Sequence, residues 1–416
     1  MIEVYKAGGA MMDSAENIRF LGRRLNRSKD KTVLVVSAMK YVTDEIYREL
    51  KSEKRDYSSF RKYLKEKHLS LAEQLGVNDG RLETELDSCL LEFNLPLGER
   101  MMLPIIARYL QQYHNVIAIR STKLGIKVRK ENETNIIDER CIPDVRKNAF
   151  GILESYNMLV VSGFEALDSN GKDDHLPRNG SDITATFLAN CVDAKGIYIL
   201  KDVAILGANP KIVEKPNVVP YLDYRTASES GNLHFDSVAF VEDRRIPMVV
   251  EGLDGKLSRI GSEATKHIIV SGIKNCRLIH VGKIKDVPRA EDPIRRAIGE
   301  VGLNKITQYE DLHEVSYVVN YSGEKDDKEN EIILENKVKQ LKILLGKREV
   351  SDKRHSIVSL SGKVSLNDSY LALRLSVRAK GISWKEGHVS CLILVNEEDY
   401  EPTIKNIYNG IVRKRL

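Results

Sequence analysis

The chain is poor in aromatic residues: Phe, Trp and Tyr make up 6% of its 416 residues, with a single Trp. It has no basic-aromatic clusters, and a formal net charge of +5 is mild for this length. Those shortages remove the case for a nucleic-acid partner. The five cysteines, Cys89, Cys141, Cys191, Cys276 and Cys391, lie far apart, without CxxC or Cys/His spacing. That pattern argues against a disulfide framework and a metal site. It fits reduced, buried thiols in a cytoplasmic protein. No apolar run approaches the roughly 20 residues that cross a bilayer, so no membrane partner is expected. The chain runs at once into a strand-like segment, so no secretory leader is expected. GxxxxGK[ST] is missing, which excludes a Walker-type phosphate loop.

What is present is an ordinary globular composition. Hydrophobic residues are 42% of the chain, enough for a sizeable core, and the length implies two or three domains. Ile2 to Tyr5 reads as a strand, followed by Lys6-Ala7-Gly8-Gly9 and a helix from near Asp13, with Asp13 and Glu16 at capping-box spacing. Strand, glycine pair and helix can hold phosphate oxygens on backbone N–H groups, and Lys6 adds a point charge. Thr32 to Ala38 is a buried parallel strand by pattern, and the polar stretch with Thr43 follows its carboxyl end, where open α/β sheets bind ligands. Residues 45 to 93 are charged and helical in pattern, with His68 read as a surface residue. Gly98-Glu99-Arg100 starts another helix, and Glu99 there suits the helix dipole.

The stretch Arg178-Asn179-Gly180-Ser181-Asp182 organises the chain. It follows an apolar run, Met158 to Gly163, and opens a helix over residues 181 to 192 that Ser181 or Asp182 can cap. Arg178 can take a carboxylate in bidentate fashion. Free N–H groups at the helix start can hold an anion. A further strand ends at Lys201-Asp202, and a loop with Gly207 and Lys211 follows. Strand–helix alternation over residues 1 to 250 predicts a largely parallel sheet covered on both faces. Beyond it the order changes to two tandem βαββα units, which suggest small ligand-binding or dimerising modules. Residues 328 to 347 alternate acids and bases, as on a solvated helix face.

Together these stretches resemble the aspartate kinases of the amino-acid kinase family. Lys6-Ala7-Gly8-Gly9 stands for its Lys-Phe-Gly-Gly, and Val35 to Met39 with Val42-Thr43-Asp44 for its Val-Val-Ser-Ala-Met…Val-Thr-Asp. Gly98-Glu99-Arg100, Val161-Ser162-Gly163-Phe164 and Arg178 to Asp182 match further family motifs in order. The resemblance implies an α/β fold: a three-layer amino-acid kinase domain with a mostly parallel sheet over residues 1–262. Two α+β ferredoxin-like ACT domains would follow, at 266–345 and 353–416. It implies ATP-dependent phosphorylation of L-aspartate, with Mg²⁺ carried on the ATP. That is the first step toward lysine, threonine and methionine. By the same resemblance, Lys6 and Asp182 would be catalytic. Thr43, Glu99, Arg178 and Ser181 would bind aspartate. Gly8, Gly9, Lys201, Asp202, Gly207 and Lys211 would bind the nucleotide. An amino-acid effector such as lysine or threonine, and a homodimer through the ACT domains, are also implied.

The sequence departs from the family at several points. Ala10 and Met11 replace two hydroxyl residues, the nucleotide loop is one residue shorter, and Gly231 to Phe235 lacks the family's Lys. Lys201 introduces a cation that could substitute. These departures motivate an alternative, a regulatory relative with little or no activity that binds amino acids through its ACT domains.

Overall fold

The computed structural model describes residues 1–52, 56–131, 134–230, 233–282, 296–298, 304–311, 314–320, 327–345, 349–376, 379, 381–384 and 390–415. Its N-terminal sheet has eight strands. Their order is Tyr221–Asp223, Leu257–Gly261, Met248–Gly252, Gly196–Lys201, Ile2–Ala7, Lys31–Val36, Met158–Ser162, Val116–Ile119. Every described pair in it is parallel except Met248–Gly252 with Leu257–Gly261.

The central strands are apolar almost throughout because helices cover both faces. Val33 and Val35 point into one core, with Val145 of helix Ile142–Ser155 and Phe187 of helix Gly180–Cys191. Leu34 and Val36 point into the other, with Ile18 of helix Ala15–Leu25 and Met101 of helix Leu97–Gln111. The expected three-layer arrangement is therefore present, and the parallel register sets the carboxyl ends of four central strands side by side. The helical region read over residues 45 to 93 is also present, as Val42–Lys51 (which begins before it and includes Thr43), Tyr57–Leu75 and Gly80–Leu91.

Three local expectations need correction. A four-residue helix, Gly9–Met12, precedes the one read from Asp13. The longer helix is capped by Ser14, whose Oγ accepts the Asn17 N–H at 3.2 Å, so Asp13 is not its cap. Helix Gly180–Cys191 has Asn179 as its N-cap, in the left-handed region, which places Ser181 and Asp182 inside the first turn. His68 is buried rather than on the surface: its Nδ1 lies 2.7 Å from the Leu64 carbonyl oxygen. The helix turns that side toward Leu64 and Leu71, and burial lowers the imidazole to about 4.

The C-terminal part is a six-stranded antiparallel sheet in the order Asn304–Asp311, Glu314–Asn320, Ile268–Gly282, Glu349–Gly362, Ser390–Val395, Gly381–Trp384. Helix Asp327–Leu345 packs on one half through Leu334, Val338 and Leu341. The chain from Tyr400 to Val412 packs on the other through Ile404, Ile407 and Tyr408. The long strand Ile268–Gly282 serves both halves. Ile268 and Val270 enter the second core, whereas Ile279 and Val281 enter the first. The units read from sequence as 266–345 and 353–416 are joined by the strand Ile268–Gly282, which lies in the first range and enters both cores. The helix read over residues 293 to 301 lies outside the described residues except for 296–298.

The two parts meet through the loop after strand Gly196–Lys201. Ala208, Ile212 and Val213 of that loop are buried in the second C-terminal core. The Val270 N–H donates to the Gly207 carbonyl at 3.0 Å, and the Asn217 N–H donates to the Tyr408 hydroxyl at 2.6 Å.

Candidate active site

A cavity of about 390 Å³ opens at the carboxyl ends of the central strands. Its lining includes Lys6, Gly8, Gly9, Thr43, Glu99, Arg178, Ser181, Lys201 and Asp202, nine of the twelve expected site residues, and a tenth, Asp182, lies directly behind them. Gly207 and Lys211 do not line it. Both sit in the loop engaged by the C-terminal core.

Asp182 is the electrostatic centre. Its carboxylate is 2% exposed and bridges two ammonium groups, Lys6 Nζ at 2.8 Å and Lys201 Nζ at 2.9 Å. Burial by itself would raise Asp182, but Lys201 and Lys6 outweigh it and hold the carboxyl well below its ordinary range. The parallel pairing explains the convergence. Lys6 and Lys201 stand near the ends of adjacent strands, and helix Gly180–Cys191 crosses beside them. Gly8 leaves the space that the Lys6 ammonium uses, since a Cβ there would lie 3.2 Å from Nζ. Gly163 does the same for Ser181: a Cβ there would meet Ser181 Oγ at 2.6 Å.

Glu99 is fully buried in the first turn of helix Leu97–Gln111, and its Oε2 has no hydrogen-bond partner among the described residues. Burial pushes its carboxyl up to about 8, against the opposing pull of backbone N–H groups. A buried acceptor without a partner facing a cavity is a receptor for a cationic donor. Arg178 stands at the mouth, 73% exposed, held at 3.0 Å by Asp44. Three lining residues, Tyr41, Phe164 and Asn179, have φ near +65 to +70°, a backbone region that side-chain-bearing residues seldom take. Such conformations gather at ligand sites, where surrounding structure holds them.

Sequence reading missed the support behind this wall. Glu165 is buried between Arg100, at 3.2 Å, and Arg120, at 3.1 Å, and accepts a hydrogen bond from the Ser162 hydroxyl at 2.6 Å. Arg100 and Arg120 also pair with Glu92. This network ties the strand end at Ser162 to the helix that carries Glu99. Nothing in local sequence pattern announces it, because Glu165 meets its two arginines from a distant part of the chain.

The profile of the amino acid kinase family matches residues 1–252. This chain belongs to the amino acid kinase family. Among curated relatives, it is 24% identical to the aspartokinase of Geobacillus stearothermophilus over 65% of this chain and 62% of that protein. It is 25% identical to the chloroplastic aspartokinase 2 of Arabidopsis thaliana over 98% of this chain and 84% of that protein. The chain thus spans less than two thirds of the Geobacillus relative. Among solved structures, E. coli aspartokinase III in complex with aspartate and ADP (R-state) superposes with a TM-score of 0.82. That match has 16% identity and covers 99% of this chain and 100% of that one. The same enzyme with lysine and aspartate (T-state) gives 0.69 at 16% identity, covering 99% of each chain. The fold of this amino-acid kinase family member, including its C-terminal part, is therefore that of the aspartokinases.

Proposed function

We propose that the chain transfers the terminal phosphoryl group of ATP to the β-carboxylate of L-aspartate. The observation that carries this reading is the Lys6–Asp182–Lys201 cluster beside the buried Glu99, whose Oε2 has no partner among the described residues, in one cavity. Phosphoryl transfer needs positioning and charge neutralisation more than bond-making by the protein. The aspartate β-carboxylate oxygen attacks the terminal phosphorus, the bond to the ADP oxygen breaks, and ADP leaves with that electron pair. The attacking group is already ionised, so no general base is required.

Lys6 and Lys201 face the transferring group, with Asp182 fixing both ammonium positions. Glu99 receives the α-ammonium of aspartate, and Thr43 completes that wall. Arg178 exchanges Asp44 for a substrate carboxylate, and Ser181 donates to it. Gly8, Gly9 and Asp202 border the nucleotide. Gly207 and Lys211 would reach it only from the adjoining loop. Both oxygens of Asp182 are taken by lysines, and Asp202, on the nucleotide side, would face a Mg²⁺ carried on ATP oxygens. The Mg²⁺ would add charge neutralisation of the phosphates.

An amino-acid effector at the C-terminal units belongs to the same reading; the E. coli enzyme was solved with lysine and aspartate. The loop 204–218 leaves the sheet just after Lys201 and is buried against the C-terminal core, so a shift of that core would reach the nucleotide side. A homodimer through these units, a cytoplasmic setting and a place at the head of lysine, threonine and methionine synthesis belong to this proposal. The second reading, a regulatory relative without turnover, draws on that same loop, which the C-terminal core engages instead of the cavity. Hydroxylamine trapping of the acyl phosphate tests the choice, with ATP, Mg²⁺, L-aspartate and Asp182→Ala as control. Aspartate-dependent hydroxamate that vanishes in the variant supports the kinase. Its absence from folded wild-type protein supports the second reading.

A further inference from the structure

Four cations line the cavity, and three have carboxylate partners: Lys6 and Lys201 share Asp182, and Arg178 holds Asp44. Lys40 has none among the described residues. Its ammonium instead lies over the Tyr41 ring, 5.2 Å from the centroid. The backbone around it is held in place. Gly9 packs so closely that a Cβ there would lie 3.3 Å from Lys40 Cα, which sets Lys40 against the glycine turn. The Val42 N–H donates to Met39 and the Glu45 N–H to Tyr41, at 3.1 and 2.9 Å. Tyr41 itself sits at φ +68° with its side chain 63% exposed, a conformation that costs about 1 kcal/mol or more and repays nothing through burial.

An ammonium on a flexible stem suits a phosphate as a point charge, and a ring face holds it only weakly, so a multiply charged anion displaces it readily. We infer that Lys40 is a phosphate-binding cation that moves from the Tyr41 ring onto the oxygens of the nucleotide's terminal phosphate. Tyr41 is its positioning residue. This inference rests on the kinase reading. It adds a third ammonium to the transferring group, alongside the two that Asp182 already half-neutralises.

The test is steady-state kinetics and calorimetric nucleotide binding on the full-length chain, comparing wild type with Lys40→Gln, Lys40→Arg and Tyr41→Gly. Lys40→Gln should lower kcat/KM for ATP about 10²-fold. It should leave the KM for aspartate and the Kd for ADP, which lacks the terminal phosphate, within about twofold of wild type. Lys40→Arg should restore most of the loss. Tyr41→Gly keeps the left-handed turn without the ring and should raise the KM for ATP about 2- to 5-fold. An active wild type with Lys40→Gln unchanged for ATP overturns the inference and leaves the kinase reading standing. So does an equal loss for ATP and ADP, which would move the cation away from the terminal phosphate. A wild type with no aspartate-dependent turnover removes both.

Discussion

Replacing Asp182 by Asn keeps the shape of the side chain and deletes its charge. In the native cluster two ammonium groups lie within 2.8 and 2.9 Å of one carboxylate, so they are neighbours of each other. Without the carboxylate, two unit charges about 5 Å apart at an effective dielectric near 20 repel by roughly 3 kcal/mol. Removing one partner from a buried ion pair costs about 3–5 kcal/mol by comparison with other systems, so the two estimates agree in size. Lys6 is 8% exposed and Lys201 23%, so water relieves little of this.

The variant therefore lowers the affinity of one lysine for its proton in the folded state. Its folded form then binds fewer protons than its unfolded form at neutral to alkaline pH. The stability of Asp182→Asn should consequently rise with pH between about 7 and 10, with a slope of at most ~1.4 kcal/mol per unit. Wild type should show no such rise from this cluster. Hydrogen exchange of helix Gly180–Cys191, followed in urea at pH 7 and pH 9.5, reads the effect where it arises. Equal stability of variant and wild type at pH 7, together with equal pH slopes, would refute the electrostatic account of the cluster.

Glu99 makes the opposite prediction. Its folded carboxyl is raised to about 8, so the folded form holds a proton that the unfolded form releases near its ordinary value, and stability falls as pH rises from about 4.5 through 8. Glu99→Gln should remove that decline in a pH series of urea midpoints, and calorimetry in two buffers should show a proton released when aspartate binds wild type but not the variant. Gly163→Ala forces a methyl against Ser181 and should cost about 1–3 kcal/mol in thermal unfolding while weakening aspartate binding. Tyr408→Phe leaves the Asn217 N–H without its acceptor. It should loosen the loop after Lys201 by about 1 kcal/mol, read as faster exchange of residues 204–218 and a higher KM for ATP.

Much of the site was legible in sequence because short motifs carried it, through local chemistry in part and through the family resemblance for the rest. Lys6-Ala7-Gly8-Gly9, Glu99 and Arg178 to Asp182 each pair a charged group with a chain reversal or helix start, and such signals survive without knowledge of the fold. Lys40 and Tyr41 were passed over because an ordinary lysine and tyrosine in a loop carry no signal until the left-handed turn is seen. His68 misled for the converse reason: a polar residue in a charged helix looks exposed, and only packing against Leu64 and Leu71 shows which side turns inward. Gly207 and Lys211 followed the strand end as a nucleotide loop should, yet the C-terminal core holds that loop.

Sequence by itself determined the layers of the N-terminal domain, because continuous Val/Ile/Leu strands alternating with amphipathic helices can bury both sheet faces in few other ways. It also determined the inventory of charges that meet at the strand ends. The tertiary structure alone decided how those charges share partners. Asp182 serves two lysines, Arg178 turns to Asp44, and Lys40 is left to an aromatic face, since pairing depends on ångström distances between segments far apart in the chain. It likewise decided that the strand Ile268–Gly282 would serve both C-terminal cores, because strand pairing is set by register across the whole sheet and no local pattern specifies it.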